Sequence, residues 1–128
     1  MKTILIADDE EVNLLLLKHF LKKADYRILT AENGTDALQL LRLYPSIDLV
    51  VTDICMPQMD GFSLLQAIRS SKGLEDLPVF SYSSGHEQKK ELDFPYQFDY
   101  SFKKPREIHL LLHKIGKVLH PNPISSSL

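Results

Sequence analysis

A chain of 128 residues is long enough to bury one hydrophobic core and fits a single domain. With 44% hydrophobic residues, 25% charged residues and a net charge of −2, it has the composition of an ordinary globular domain and lacks the basic footprint of a nucleic-acid binder. Cys55 is the single cysteine, which excludes an internal disulfide and a cysteine-built zinc site and suits a reducing, cytoplasmic setting.

The first residues, Met1 to Ala7, are apolar but too few for a signal peptide or a membrane span before Asp8-Asp9-Glu10-Glu11. Within them Thr3–Ala7 is a short continuous run, the mark of a strand covered on both faces. Residues 12–24 carry Leu14, Leu17 and Leu21 on one stripe, with Leu16 and Phe20 beside it, which predicts a helix. The run Leu14-Leu15-Leu16-Leu17 cannot all face inward, so at least one leucine belongs at the rim. Arg27–Ala31 is a second strand. Asn33-Gly34 then turns the chain, and Asn33 caps a second helix marked by Ala37, Leu38, Leu40 and Leu41.

Residues 48–52 predict a third strand, most apolar at Leu49-Val50-Val51. Phe62, Leu64, Leu65 and Ile68 mark a third helix ending near Lys72-Gly73. Pro78 opens a fourth strand through Tyr82. The next stretch, 84–99, follows neither period cleanly, and Pro95 stops any helix at or before Phe94, so a fourth helix over 87–93 is expected to be short or distorted. Phe94, Tyr96, Phe98, Tyr100 and Phe102 recur with a period of two, which predicts extended chain and a fifth strand at 100–102. Ile108, Leu111, Leu112, Ile115, Val118 and Leu119 mark the last helix. Residues 1–120 thus read as the domain, and 121–128 as a flexible tail or the start of a linker.

Strands alternating with helices imply an open parallel sheet covered on both faces, an α/β doubly wound fold. Ligands of such sheets bind beyond the carboxyl ends of the strands. The residues that follow those ends are Asp8 and Asp9, then Asp53, then Ser83, then Lys104-Pro105. Three carboxylates in one cleft repel each other unless a cation neutralises them. An all-oxygen donor set suits Mg²⁺, with Mn²⁺ as a second choice. A carboxylate beside such an ion is a competent nucleophile toward phosphorus, while the ion, an ammonium and a hydroxyl share the charge of the transferring group.

Three segments together, Ile6-Ala7-Asp8-Asp9-Glu10, Val50-Val51-Thr52-Asp53-Ile54-Cys55-Met56-Pro57-Gln58-Met59-Asp60-Gly61 and Lys104-Pro105, resemble the receiver domain of two-component response regulators. The resemblance runs from Lys2 to about Leu119, is chemotaxis-regulator-like, and around Val12-Asn13-Leu14 also resembles receivers of hybrid histidine kinases. It implies a three-layer flavodoxin-like fold with a five-stranded parallel sheet in the order 2-1-3-4-5 and five helices. It further implies that Asp53 is the phosphoacceptor, that Asp9 binds the metal directly, and that Asp8 holds a metal-bound water. The backbone carbonyl of Cys55 would add a metal oxygen, Ser83 would be the switch hydroxyl, and Lys104 would pair with the phosphoryl group across a cis Lys104-Pro105 bond.

The implied partners are a sensor histidine kinase or a histidine phosphotransfer protein, often docked on the first helix, and a downstream protein or effector domain. Direct nucleic-acid binding and membrane insertion are not implied. The implied activity is a phosphorelay switch, in which transfer to Asp53 changes a protein-binding surface. Transfer and hydrolysis would be self-catalysed, so no turnover substrate and no separate enzyme activity are expected.

Two other functions compete. A receiver-like interaction module acting without phosphorylation draws support from Ser101, which stands three residues before Lys104 where the family has Tyr or Phe. Either the strand has slipped by one residue, which would turn every side chain over, or the aromatic half of the switch is missing. A phosphatase of the aspartyl-nucleophile type needs a second Asp two residues after the nucleophile, and Cys55 stands there.

Plainer readings weigh against some of these residues. Asp8 and Asp9 taken alone are as readily helix-capping acids. Asp60-Gly61 reads as a turn and helix start, and Cys55 as a small residue beside the site in preference to a redox sensor. His109 and His113, spaced i, i+4, read as a solvated helix face in preference to a metal pair.

Overall fold

A computed structural model describes residues 1–84 and 94–121. Five parallel strands, β1 (Thr3–Ala7), β2 (Arg27–Ala31), β3 (Leu49–Thr52), β4 (Val79–Ser83) and β5 (Tyr100–Lys103), form one sheet in the order β2-β1-β3-β4-β5. The helices among the described residues are α1 (Glu11–Lys23), α2 (Gly34–Leu43), α3 (Gly61–Arg69) and α4 (Ile108–Leu119). The architecture is the three-layer flavodoxin-like fold expected from the sequence. The expected helix over 87–93 and the tail over 122–128 lie outside the described residues. No described helix is long and apolar enough to cross a membrane.

Alternation along the strands sorts the core into two layers. Leu5, Ala7, Val50 and Val79 turn to one face, where Ala37, Leu38 and Leu41 of α2 and Phe62, Leu64, Leu65 and Ile68 of α3 cover them. Ile4, Ile6, Leu49, Val51, Phe80 and Tyr82 turn to the other, under Leu14, Leu17 and Leu21 of α1 and Leu111, Ile115 and Leu119 of α4. Every residue of β1, β3 and β4 is buried, which is why these strands read as unbroken apolar runs. Burying one such leucine or isoleucine stabilises the fold by roughly 1.5–3 kcal/mol.

Local chemistry sets the helix ends. Asn33 caps α2, its side-chain oxygen accepting from the Asp36 N–H at 2.7 Å, and Gly34 is already the first helical residue rather than part of a turn. Asp60 caps α3 by accepting from the Ser63 N–H at 2.8 Å, the turn and helix start expected there. α3 ends at Arg69, earlier than Lys72-Gly73. Ser71 donates its hydroxyl back to the Ala67 carbonyl at 2.6 Å, and Gly73 takes a φ of +90° in the turn that follows. In the leucine run, Leu14 and Leu17 are buried while Leu15 and Leu16 are exposed, so two leucines stand at the rim.

The aromatic run departs from the expected extended chain. Phe94, Tyr96 and Phe98 pack on the α2–α3 face, with Phe94 and Phe98 at 5.2 and 5.5 Å from the Phe62 ring. Phe102 packs on the α1–α4 face, and Tyr100 meets Phe80 of that layer edge to face. One continuous strand would put all five on one side. The chain instead bends before Tyr100. Asp99 anchors the bend by accepting from the Val79 N–H at 2.7 Å and from Arg69 at 2.8 Å. Past the bend, Ser81 pairs with Ser101, Tyr82 with Phe102 and Ser83 with Lys103. That register places Ser101 on the same side of the sheet as Ser83 and leaves Phe102 on the opposite side.

Candidate functional site

The site forms where β1, β3 and β5 end. The Asp53 N–H donates to the Ala7 carbonyl at 2.8 Å and the Asp8 N–H to the Ala31 carbonyl at 3.0 Å, so both acids emerge at the same edge as extensions of the ladder. The Lys104 N–H donates to the Ser83 carbonyl at 2.8 Å and returns the chain to that edge. The Lys104 ammonium then lies 2.6 Å from Asp8 Oδ2 and 3.0 Å from Asp53 Oδ2. All three side chains are at most 10% exposed. The Lys104-Pro105 bond is cis.

The remaining carboxylate oxygens are also engaged. Asp53 Oδ1 accepts from the Ile54 N–H at 2.7 Å, and Asp8 Oδ1 accepts from the Glu10 N–H at 3.0 Å at the start of α1. Asp8 therefore fixes the residue that precedes α1 and faces the cleft at once, without capping a free N–H of the helix itself.

Two glycines hold the loop from Asp53 to Gly61 in place. The Gly61 N–H donates to the Ile54 carbonyl at 2.8 Å, and a Cβ on Gly61 would collide with the Asp53 carbonyl and sit 2.9 Å from Ile54 Cα. At the far side, the Gly34 N–H donates to the Met59 carbonyl at 3.0 Å, and a Cβ there would strike Met59. The glycines allow α2 and α3 to begin against the loop that carries Asp53.

One ammonium facing two buried carboxylates leaves the cleft negatively unbalanced. Burial pushes the Asp8 carboxyl above its usual value, and the hydrogen bonds and charge of Lys104 only partly oppose this. Burial alone would pull Lys104 down, but its bonds to Asp8 and Asp53 and their charges outweigh it and raise the ammonium. Carboxylate oxygens of Asp8, Glu10 and Asp53 come within 4.8 Å of one another. All are hard donors at spacings a divalent cation can bridge.

Of the residues singled out in the sequence, Asp8, Asp53 and Lys104 are brought into direct contact. Ser83 is buried at the end of β4, on the same edge, and Cys55 is exposed on the loop after β3. Asp9 is exposed and falls outside the group of converging acids, where Glu10 stands instead. Glu10 was legible only as part of an acidic run, because which acid of such a run turns inward depends on how α1 begins. His109 and His113 are exposed on α4, and His109 meets Phe20 edge-on across the α1–α4 seam.

This fold and edge constellation agree with comparisons to known proteins. Residues 4–115 match the response regulator receiver domain, and the chain belongs to that family, the receivers of two-component signalling. The two-component response regulator ORR3 of Oryza sativa subsp. indica is 36% identical over 81 residues, 63% of this chain and 62% of that protein. The autoinducer 1 sensor kinase/phosphatase LuxN of Vibrio campbellii (strain ATCC BAA-1116) is 32% identical over 126 residues, 98% of this chain but 14% of that protein. The chain thus spans less than two thirds of the length of both relatives. The signal receiver domain of a signal transduction histidine kinase from Syntrophus aciditrophicus superposes with a TM-score of 0.84 at 26% identity, covering 97% of this chain and 94% of that one.

Proposed function

We propose that residues 1–120 act as a phosphoacceptor receiver domain, in which Asp53 takes a phosphoryl group from a phosphohistidine donor and a protein-binding surface changes in response. The observation that carries this reading is the Lys104 ammonium bonded to both Asp8 and Asp53, with Glu10 alongside, at the carboxyl edge of a parallel sheet. In the transfer, an Asp53 oxygen attacks phosphorus, a P–O bond forms as the P–N bond breaks, and the imidazole leaves with the electron pair and collects a proton from water. The Ile54 N–H fixes one carboxylate oxygen of Asp53 and so aims the other. Lys104 neutralises the growing charge on the phosphoryl oxygens, and the Ser83 hydroxyl turns toward them as the switch.

The donor chemistry fits a divalent ion, since the acids are all oxygen ligands and outnumber the ammonium. Asp8, Asp9, Asp53 and the Cys55 carbonyl would hold Mg²⁺ or Mn²⁺, with Glu10 completing the acidic rim. Such an ion supplies positive charge to the phosphoryl oxygens. The partners consistent with this reading are a sensor histidine kinase or histidine phosphotransfer protein upstream and an effector downstream.

Incubation with Mg²⁺ and phosphoramidate, whose P–N bond resembles that of phosphohistidine, should add one phosphoryl group to Asp53, read by mass spectrometry of the peptides. Equal labelling of the wild type and Asp53→Ala would reject the assignment.

A further inference from the structure

We propose that Tyr82 is a positioning residue for Lys104, its ring holding the ammonium over the acids while the hydrogen-bond partners of that ammonium change. This inference rests on the phosphoacceptor reading of Asp53.

The register makes the neighbourhood explicit. β1 and β3 pair Ala7 with Thr52, β3 and β4 pair Thr52 with Ser81, and β4 and β5 pair Tyr82 with Phe102. One residue further along, Asp8, Asp53, Tyr82 and Phe102 fall into a single row across the edge of the sheet. By strand alternation that row belongs to the face covered by α1 and α4. Tyr82 is therefore the lateral neighbour of Asp53. It is buried, and the Lys104 Nζ lies 5.9 Å from its ring centroid. That distance is within the range over which an aromatic face attracts a cation, and the attraction is stronger where water is excluded.

The chemistry of transfer gives the ring a purpose. Lys104 reaches the site on a flexible four-carbon stem and is held there by Asp8 and Asp53. Once Asp53 carries a phosphoryl group, the oxygen that held the ammonium is no longer a free carboxylate, and the N–H groups must find phosphoryl oxygens instead. A hydrogen bond is directional and is lost in that exchange. The pull of a ring face on a cation needs no proton acceptor and persists through it. The ring also lies on the side of the sheet opposite Ser101, so it acts apart from the position where the family carries its mobile aromatic.

The test is the rate of Asp53 labelling by phosphoramidate with Mg²⁺ in the full chain, for Tyr82→Leu, Tyr82→Phe, Lys104→Met and the double variant Tyr82→Leu/Lys104→Met. Thermal melts identify any variant that fails to fold. Tyr82→Leu should label about tenfold more slowly. Tyr82→Phe, which keeps the ring, should restore most of the rate. In the Lys104→Met background, Tyr82→Leu should cause no further slowing, because the ring would then have no ammonium to hold. A Phe variant as slow as the Leu variant overturns the proposal, as does an equal slowing by Tyr82→Leu with and without Lys104. Failure of the wild type to label Asp53 overturns the phosphoacceptor reading instead. In that event the ring–ammonium contact is decided by the Lys104 ε-methylene resonance, which Tyr82→Leu must shift and Tyr82→Phe must leave in place.

Discussion

Lys104 faces two buried carboxylates, and this imbalance is the energetic signature of the site. Because burial raises the Asp8 carboxyl above the ordinary carboxylate value, the folded chain binds a proton there more readily than the unfolded chain does. Ionised Asp8 therefore costs stability at neutral pH; the cost fades as pH falls through the raised value and is gone only below the ordinary carboxylate range, where both states are protonated. Asp8→Asn should raise the melting temperature of the metal-free protein at pH 7 and lose most of that advantage near pH 4, as measured by calorimetry across pH. A variant that melts lower than the wild type at pH 7 would contradict this. At this scale Asp8, Asp53 and Lys104 were legible in the sequence, because each directly follows a strand and the parallel sheet gathers strand ends. The place of Glu10 in the acidic group was not legible, since it depends on the Asp8–Glu10 bond just before α1.

The elements hold this site through close approach at their starts. α3 begins against the carbonyl of Asp53, with no room for a side chain at Gly61. Gly61→Ala should shift the loop and cost about 1–3 kcal/mol by overpacking, read by urea unfolding, and labelling of Asp53 should slow in parallel. Asp60→Ala removes the cap and should cost about 1 kcal/mol. The caps Asn33 and Asp60 could be read from residue type and spacing. The two glycine contacts could not, because they join segments distant in the chain. The aromatic run shows how a periodic signal misleads. Its period of two is real in the sequence, but Asp99 ties the chain to β4 and Arg69 midway, so the aromatics divide between two faces. Once the bend is known, pairing of Ser81 with Ser101 excludes a slipped strand. The serine genuinely occupies the position where the family carries Tyr or Phe.

The whole molecule is legible from its apolar pattern because its central strands are buried on both faces and its helices each show one stripe. The strand order was less so, since alternation of strands and helices is common to several doubly wound sheets, and the resemblance supplied it. Binding that favours the folded state should raise global stability. At a Mg²⁺ concentration about a hundredfold above its dissociation constant, the gain would be about 2.7 kcal/mol, and Asp53→Asn should lose most of it. The central claim is that acids from two strand ends converge on one divalent ion opposite Lys104. Paramagnetic broadening by substoichiometric Mn²⁺ tests it most directly in the amide spectrum of the wild type and Asp53→Asn. Convergence predicts selective loss of the signals of Asp8 to Glu10, Asp53 to Cys55 and Lys104 in the wild type, and their recovery in the variant. Broadening centred elsewhere, or unchanged by the substitution, would contradict it.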